Sequence, residues 1–416
     1  GAHGGDGGDG YDKGVYAGDG GTGYDDFTGP TDMGSGGGGF HANGPGGHGG
    51  GAVKITVTGG GTATVSGTIT AQGSNGGNYS IARTGGGAGG SVWINFTANG
   101  TFAGSGTINV DGGDGGSNAG AYNHFGGGGG GGRIAITGHN SHTFSGTLSY
   151  DGGSETGSVS GVVAEDGGGG TYWLKQTGQT GDLYIGGNPK NQQIPARVAD
   201  TKSVNDIWFE SASGLAISSG VTITLASSTL SAGTVTSSID IDGVLSLPTS
   251  FTIPNKISVT TTATGLDTVN TLTIASGGRL ALEYIATSSP WTQLSTLTVN
   301  GDLTHLANTS TVHNSVNISA TTITIGTTGR VIADRWGYPG GAPDSSGSGP
   351  GPGTFLDTHG GGGAYGGNGG NGASGQGLGG SLYGTTSTPE YDAGSGGGGA
   401  VSTVSGGGGG GIIKLV

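Results

Sequence analysis

The sequence predicts an all-β protein, a parallel β-helix or β-solenoid carrying long ordered glycine-rich insertions. Three observations point there. Short segments alternate apolar and polar residues, as in Val53, Ile55, Val57 and in Val92, Ile94, Phe96, which marks strands with one buried face. One frame recurs, with "SGTITAQG" (66–73), "SGTINVDG" (105–112) and "SGTLSYDG" (145–152). No segment has a helical period. A repeat of about 40 residues with two short strands cannot bury its apolar face alone, but a stack of such repeats can.

A second element precedes each copy of the frame. "GGHGGGAVKITV" (46–57), "GGGAGGSVWINF" (85–96) and "GGGGGGGRIAIT" (126–137) each run from glycine into an alternating strand. "GGGGTYWLK" (167–175) and "GGGGGGIIKLV" (406–416) repeat that entry, and "TTGRVIADRW" (327–336) is a looser fourth copy of the frame. Four regions follow. Residues 1–51 form a Gly/Asp/Tyr block, a candidate for docking between subunits. Residues 52–199 hold the glycine-rich two-strand repeats. Residues 200–334 are rich in Thr, Ser and Val and read as further solenoid. Residues 335–416 return to glycine and end in a strand. That last strand resembles the one at 52–57, so the chain is expected to be one period of a tandem array or a subunit continuing a neighbour's sheet. The expected core is Val53, Ile55, Val92, Ile94, Ile108, Ile134, Ile136, Leu272, Ile274, Leu297, Val299, Ile323 and Ile325.

Of the 416 residues, 106 are glycine and 10% are charged. Such a chain can be a flexible linker, a set of tight turns, or packed extended helices of three residues per turn. Isolated Tyr, Asn and Gln among the short runs of "GGGGAYGGNGGNGASGQGLGG" (360–380) favour packed layers, because a linker needs no such anchors. The net charge of −14 argues against nucleic acid, which calls for a basic stripe. No apolar run is long enough to span a membrane. With Cys 0, disulfides and thiol chemistry are excluded.

The frame "GGGAGGSVWI…SGTINVDGG" resembles the glycine-rich repeats of secreted bacterial surface proteins, the filamentous-haemagglutinin-like and adhesin-like group. The resemblance covers 46–185 well and 316–416 loosely. It implies a right-handed β-solenoid outside the cell or on its surface, acting in attachment, sheaths or filaments.

Candidate chemistry is sparse. "GGDGGDGYD" (4–12) fits one copy of a calcium-binding nonapeptide, with Asp6, Asp9 and Asp12 as ligands; Asp111 and Asp114 are further candidates. Asp-Gly is equally a turn pair, and the only cofactor considered is Ca2+. The histidines His3, His41, His48, His124, His139, His142, His305, His313 and His359 form no recognisable metal set. Asp240 and Asp242 share one face of a strand without a basic partner nearby in sequence, so no enzyme activity is expected. Tyr11, Tyr16, Tyr24, Trp336 and Tyr338, with the terminal Ile412, Ile413 and Leu415, are candidate interface residues; Trp93, Tyr122, Phe125, Trp173 and Trp291 could likewise pack or stack on sugars. Two functions are expected: a structural subunit of an extracellular filament, sheath or surface layer whose partners are copies of itself, or an adhesin that binds surface glycan.

Overall fold

The computed structural model describes residues 1–12, 15–39, 44–79, 82–116, 124–155, 158–159, 162–187, 194–210, 212–262, 264–283, 290–311, 314–384, 392–401 and 403–416. The chain is essentially all-β, with mostly parallel sheets. It divides into two compact units, Gly1–Pro248 and Thr249–Val416.

In the first unit the recurring glycine-to-strand entries stack on one another. Ala52–Val57, Ser91–Gly104, Arg133–Phe144 and Thr171–Gln176 pair in parallel, with Ala52, Ser91, Arg133 and Thr171 in register. The "SGT" frames form a second ladder, Thr68–Thr70 on Thr107–Asn109 on Thr147–Ser149, with Thr68, Thr107 and Thr147 aligned. Sequence repeats are therefore successive rungs. Alternation then does the expected work: Val92, Ile94, Ile134 and Ile136 lose all exposure between the ladders, with Ile108 and Phe102.

Two shorter parallel ladders also lie in this unit, beside small antiparallel pairings. Pro195–Val198, Gly214–Ile217 and Ser237–Ile241 form one; Lys202–Val204, Thr222–Leu225 and Val244–Ser246 form the other. The first ladder reverses once, where Thr171–Gln176 meets Asp182–Ile185 antiparallel, before Ile207–Phe209 and Leu230–Ala232 resume in parallel.

The second unit has the same plan. Ser250–Ile253, Thr271–Ile274, Thr296–Val299 and Thr322–Ile325 form one parallel ladder. Ile257–Thr261, Arg279–Leu282, Asp302–His305 and Arg330–Ile332 form another. Leu272, Ile274, Leu297 and Val299 are fully buried as expected, but Ile325 is 51% exposed and Ile323 only half-buried. The correction has a simple cause. Among the described residues Thr322–Ile325 is the last strand of its ladder, with no strand paired to its outer edge.

Candidate functional site

The glycine-rich segments build ordered layers beside the ladders. In 84–90 the donors turn through three directions. Thr84, Gly87 and Gly90 donate to Gly77, Ser74 and Ala71; Gly85 and Ala88 donate to Gly38 and Ser35; Gly86 and Gly89 donate to Gly127 and Gly130. The segment also accepts from Gly47 and Gly50, and from Gly113 and Gly116. A chain that bonds sideways every third residue must be extended with three residues per turn. The second unit repeats the pattern: Gly394 and Gly397 donate to Gly410 and Gly407, while Tyr338 and Gly341 donate to Gly394 and Gly397.

Glycine is needed there because the layers touch through Cα. A Cβ on Gly129 would run into the carbonyl oxygen of Gly87, and one on Gly167 into that of Gly129. Backbone hydrogen bonds, with Cα–H contacts to carbonyls, take the place of a side-chain core.

The candidate aspartates have definite work in these layers. Asp111 accepts the backbone N–H of Asp151 at 2.8 Å and the hydroxyl of Ser149 at 2.7 Å. Asp114 accepts the N–H of Ser154 at 2.8 Å. One rung earlier, Asn75 accepts the N–H of Asp114 at 2.9 Å; one rung later, Asp151 accepts that of Gly187 at 2.8 Å. Asp6 accepts the N–H of Gly23 and pairs with Arg197 at 2.9 Å, and Asp9 accepts the N–H of Gly20. Asp12 pairs through its backbone with His124 and Val15; its side chain lies outside the described residues. Among the described residues, no three His, Asp or Glu side chains come together as a metal-binding group.

A buried polar cluster joins residues far apart in sequence. Arg133 has no exposed surface and donates to the carbonyls of Tyr24 and Arg197 and to the Thr171 hydroxyl, at 2.7–2.9 Å. Burial pushes its pKa down to about 10, against the pull of Asp25, Asp26, Asp200 and Asp6. Beside it, Nε2 of His3 lies 3.1 Å from Asp25 and 3.4 Å from the Ser91 hydroxyl. This is not a nucleophile relay. In a relay the acid and the nucleophile use different ring nitrogens, whereas here both meet Nε2 and Nδ1 is buried without a partner. The cluster fastens His3, Tyr24, Asp25 and Asp32 to the ladder at Ser91 and Arg133 instead. Spacing along the chain gave no signal for it.

The expected interface residues are dispersed. Tyr11 and Tyr16 face each other in a small antiparallel hairpin, and their side chains lie outside the described residues, as do His41, Tyr122 and His313. Tyr24 is half-buried, its ring edge-on to His3 and its hydroxyl on the Met33 carbonyl. Trp336 and Tyr338 are half-buried in the second unit, where the backbone of Tyr338 is tied into the glycine layers. Ile412 is buried and bonds the His305 ring through its N–H; Ile413 is 40% exposed, and Leu415 half-buried. Asp240 and Asp242 do have a cation near them: both act on Arg197, which Asp6 already holds.

Sequence reasoning passed over one aromatic row. Tyr172, Tyr184 and Trp208 occupy equivalent positions on three adjacent strands, with centroids 5.1 and 6.2 Å apart and both pairs stacked. Trp208, the last of them, is 38% exposed. Its members stand in "TYWLK", "LYIG" and "IWFE", whose spacing along the chain does not show that they align.

Both units end in open sheet edges. Ala52–Val57 and Thr68–Thr70 are the first strands of their ladders. There Val53, Ile55 and Val57 stay half-buried, whereas their register partners Val92, Ile94 and Phe96 are at most 4% exposed. In the second unit, among the described residues, Ile413–Leu415 pairs on one side only, with Val316–Ile318. Compared with family models, curated proteins and solved structures, the chain matches none.

Proposed function

We propose that this chain is a structural subunit of an extracellular filament, sheath or surface layer, assembled from copies of itself. In this reading the ladders are coils of a β-solenoid, and the glycine segments are polyglycine-II helices packed side by side. The observation that carries it is the uncovered edge at Val53, Ile55 and Val57. A parallel ladder without a cap is a template for another strand. Burying those side chains in a second copy repeats what Val92, Ile94 and Phe96 already do one rung deeper. Supporting it, Gly406–Val416 repeats the glycine-to-strand entry that stacks in register throughout the first unit.

The test is negative-stain electron microscopy with sedimentation velocity, comparing the native chain with Ile55→Lys. Regular polymers from the native chain, reduced to single particles by the charge, are expected. Single particles from the native chain at all concentrations would refute the reading.

A second reading has its own observation. Trp208, stacked on Tyr184 and partly exposed, offers an aromatic surface to a sugar ring, as an adhesin would. Glycan-array binding that Trp208→Ala abolishes would favour it; binding unaffected by that change would not.

A further inference from the structure

We propose that His139 and His142 hold one monovalent copper ion, Cu(I), as a two-coordinate site. His139 has no exposed surface, and among the described residues neither of its ring nitrogens has a partner; Nδ1 of His142 is also buried without one there. Buried polar groups are nearly always satisfied, so two neighbouring imidazoles that are not call for an occupant. Their ring centroids are 5.5 Å apart. Two imidazoles on opposite sides of one ion, at about 2 Å from metal to nitrogen, place their centroids about 6 Å apart. The spacing of the two rings is therefore close to that of a two-coordinate site.

The surroundings select the ion. Phe96 lies edge-on to His139, Phe102 lies edge-on to His142, and Phe144 stacks on Phe102. Two neutral ligands in an apolar setting suit an ion of single charge and low coordination number. Zinc takes four ligands, and an uncompensated divalent charge is costly to bury. Imidazole is a good copper ligand. A cavity of about 390 Å³, lined by Phe96, Gly138, Lys175 and Gln176 among others, lies beside Gly138, the residue before His139. The local backbone sets up the pair: Gly138, at φ 79°, accompanies a break in register between Thr137 and His139.

The test is Cu(I) competition against a chromophoric chelator under reducing conditions, with Ag(I) calorimetry as the redox-inert counterpart. One equivalent should bind the native chain, at least tenfold more tightly than it binds His139→Phe/His142→Phe. His142→Phe alone, with folding checked by circular dichroism, guards against collapse of the double variant and should also lose the site. Copper-edge absorption should report two nitrogen neighbours. Equal binding by native and variant chains, no tight equivalent at all, or a four-coordinate copper spectrum would overturn the assignment and leave a bridging water as the occupant.

Discussion

The carboxylate of Asp111 accepts the backbone N–H of Asp151 at 2.8 Å, and the carboxylate of Asp151 does the same for Gly187 one rung further on. With Asn75, Asp114 and Ser154 in a parallel file, these contacts rivet one glycine layer to the next. Asp111→Ala should cost about 1.5–3 kcal/mol, the value of a charge-assisted hydrogen bond, and Asp111→Asn much less. Urea denaturation measures both. Because Oδ1 of each carboxylate already accepts a backbone amide, EDTA should leave the midpoint unchanged; a fall would restore calcium to Asp111 and Asp114.

Asp151 gives a pH signature. Burial, with Asp111 and Glu210 nearby, pushes its pKa up to about 6, against the Gly187 N–H. The unfolded carboxyl loses its proton near 4, so the fold loses stability as pH rises from about 4 to 6 and carries a constant penalty above that. Asp151→Asn removes the penalty and keeps an oxygen for Gly187. It should gain about 1–3 kcal/mol at pH 7 and nothing at pH 4. Equal gains at both would show that ionisation is not the cause.

Gly129 donates to Gly113, accepts from Gly153, and has no room for a Cβ against the Gly87 carbonyl. Gly129→Ala should destabilise by about 2–4 kcal/mol, the range for overpacking a tight interior. At Gly67 a Cβ would meet nothing within 4 Å, so Gly67→Ala should change stability by less than about 0.5 kcal/mol. Thermal melts of the pair separate packed layers from flexible linker, in which both changes would be silent.

Removing Arg133 leaves the carbonyls of Tyr24 and Arg197 buried without their donor. Arg133→Met should cost about 1–3 kcal/mol for each carbonyl left without its donor and speed hydrogen exchange across 19–32 before the ladder strands respond. Uniform acceleration would mean that the cluster does not fasten this segment.

The alternation of Val92, Ile94 and Ile134, Ile136 determined that strands form and which face is buried, because side chains alternate in any extended chain whatever its neighbours. The spacing of the "SGT" frames likewise determined the rungs: Thr68, Thr107 and Thr147 stack as their repeat requires. Composition pointed to ordered glycine, since Tyr and Asn punctuate the runs. Tertiary structure alone decided which partner each glycine bonds, because a run of identical residues carries no register of its own. It also decided that Ile325 ends a ladder, that Asp111 rivets layers, and that Arg133 meets Tyr24 and Arg197. Those contacts depend on how far a glycine segment travels before it returns, a length fixed by packing against segments that are not its neighbours in sequence.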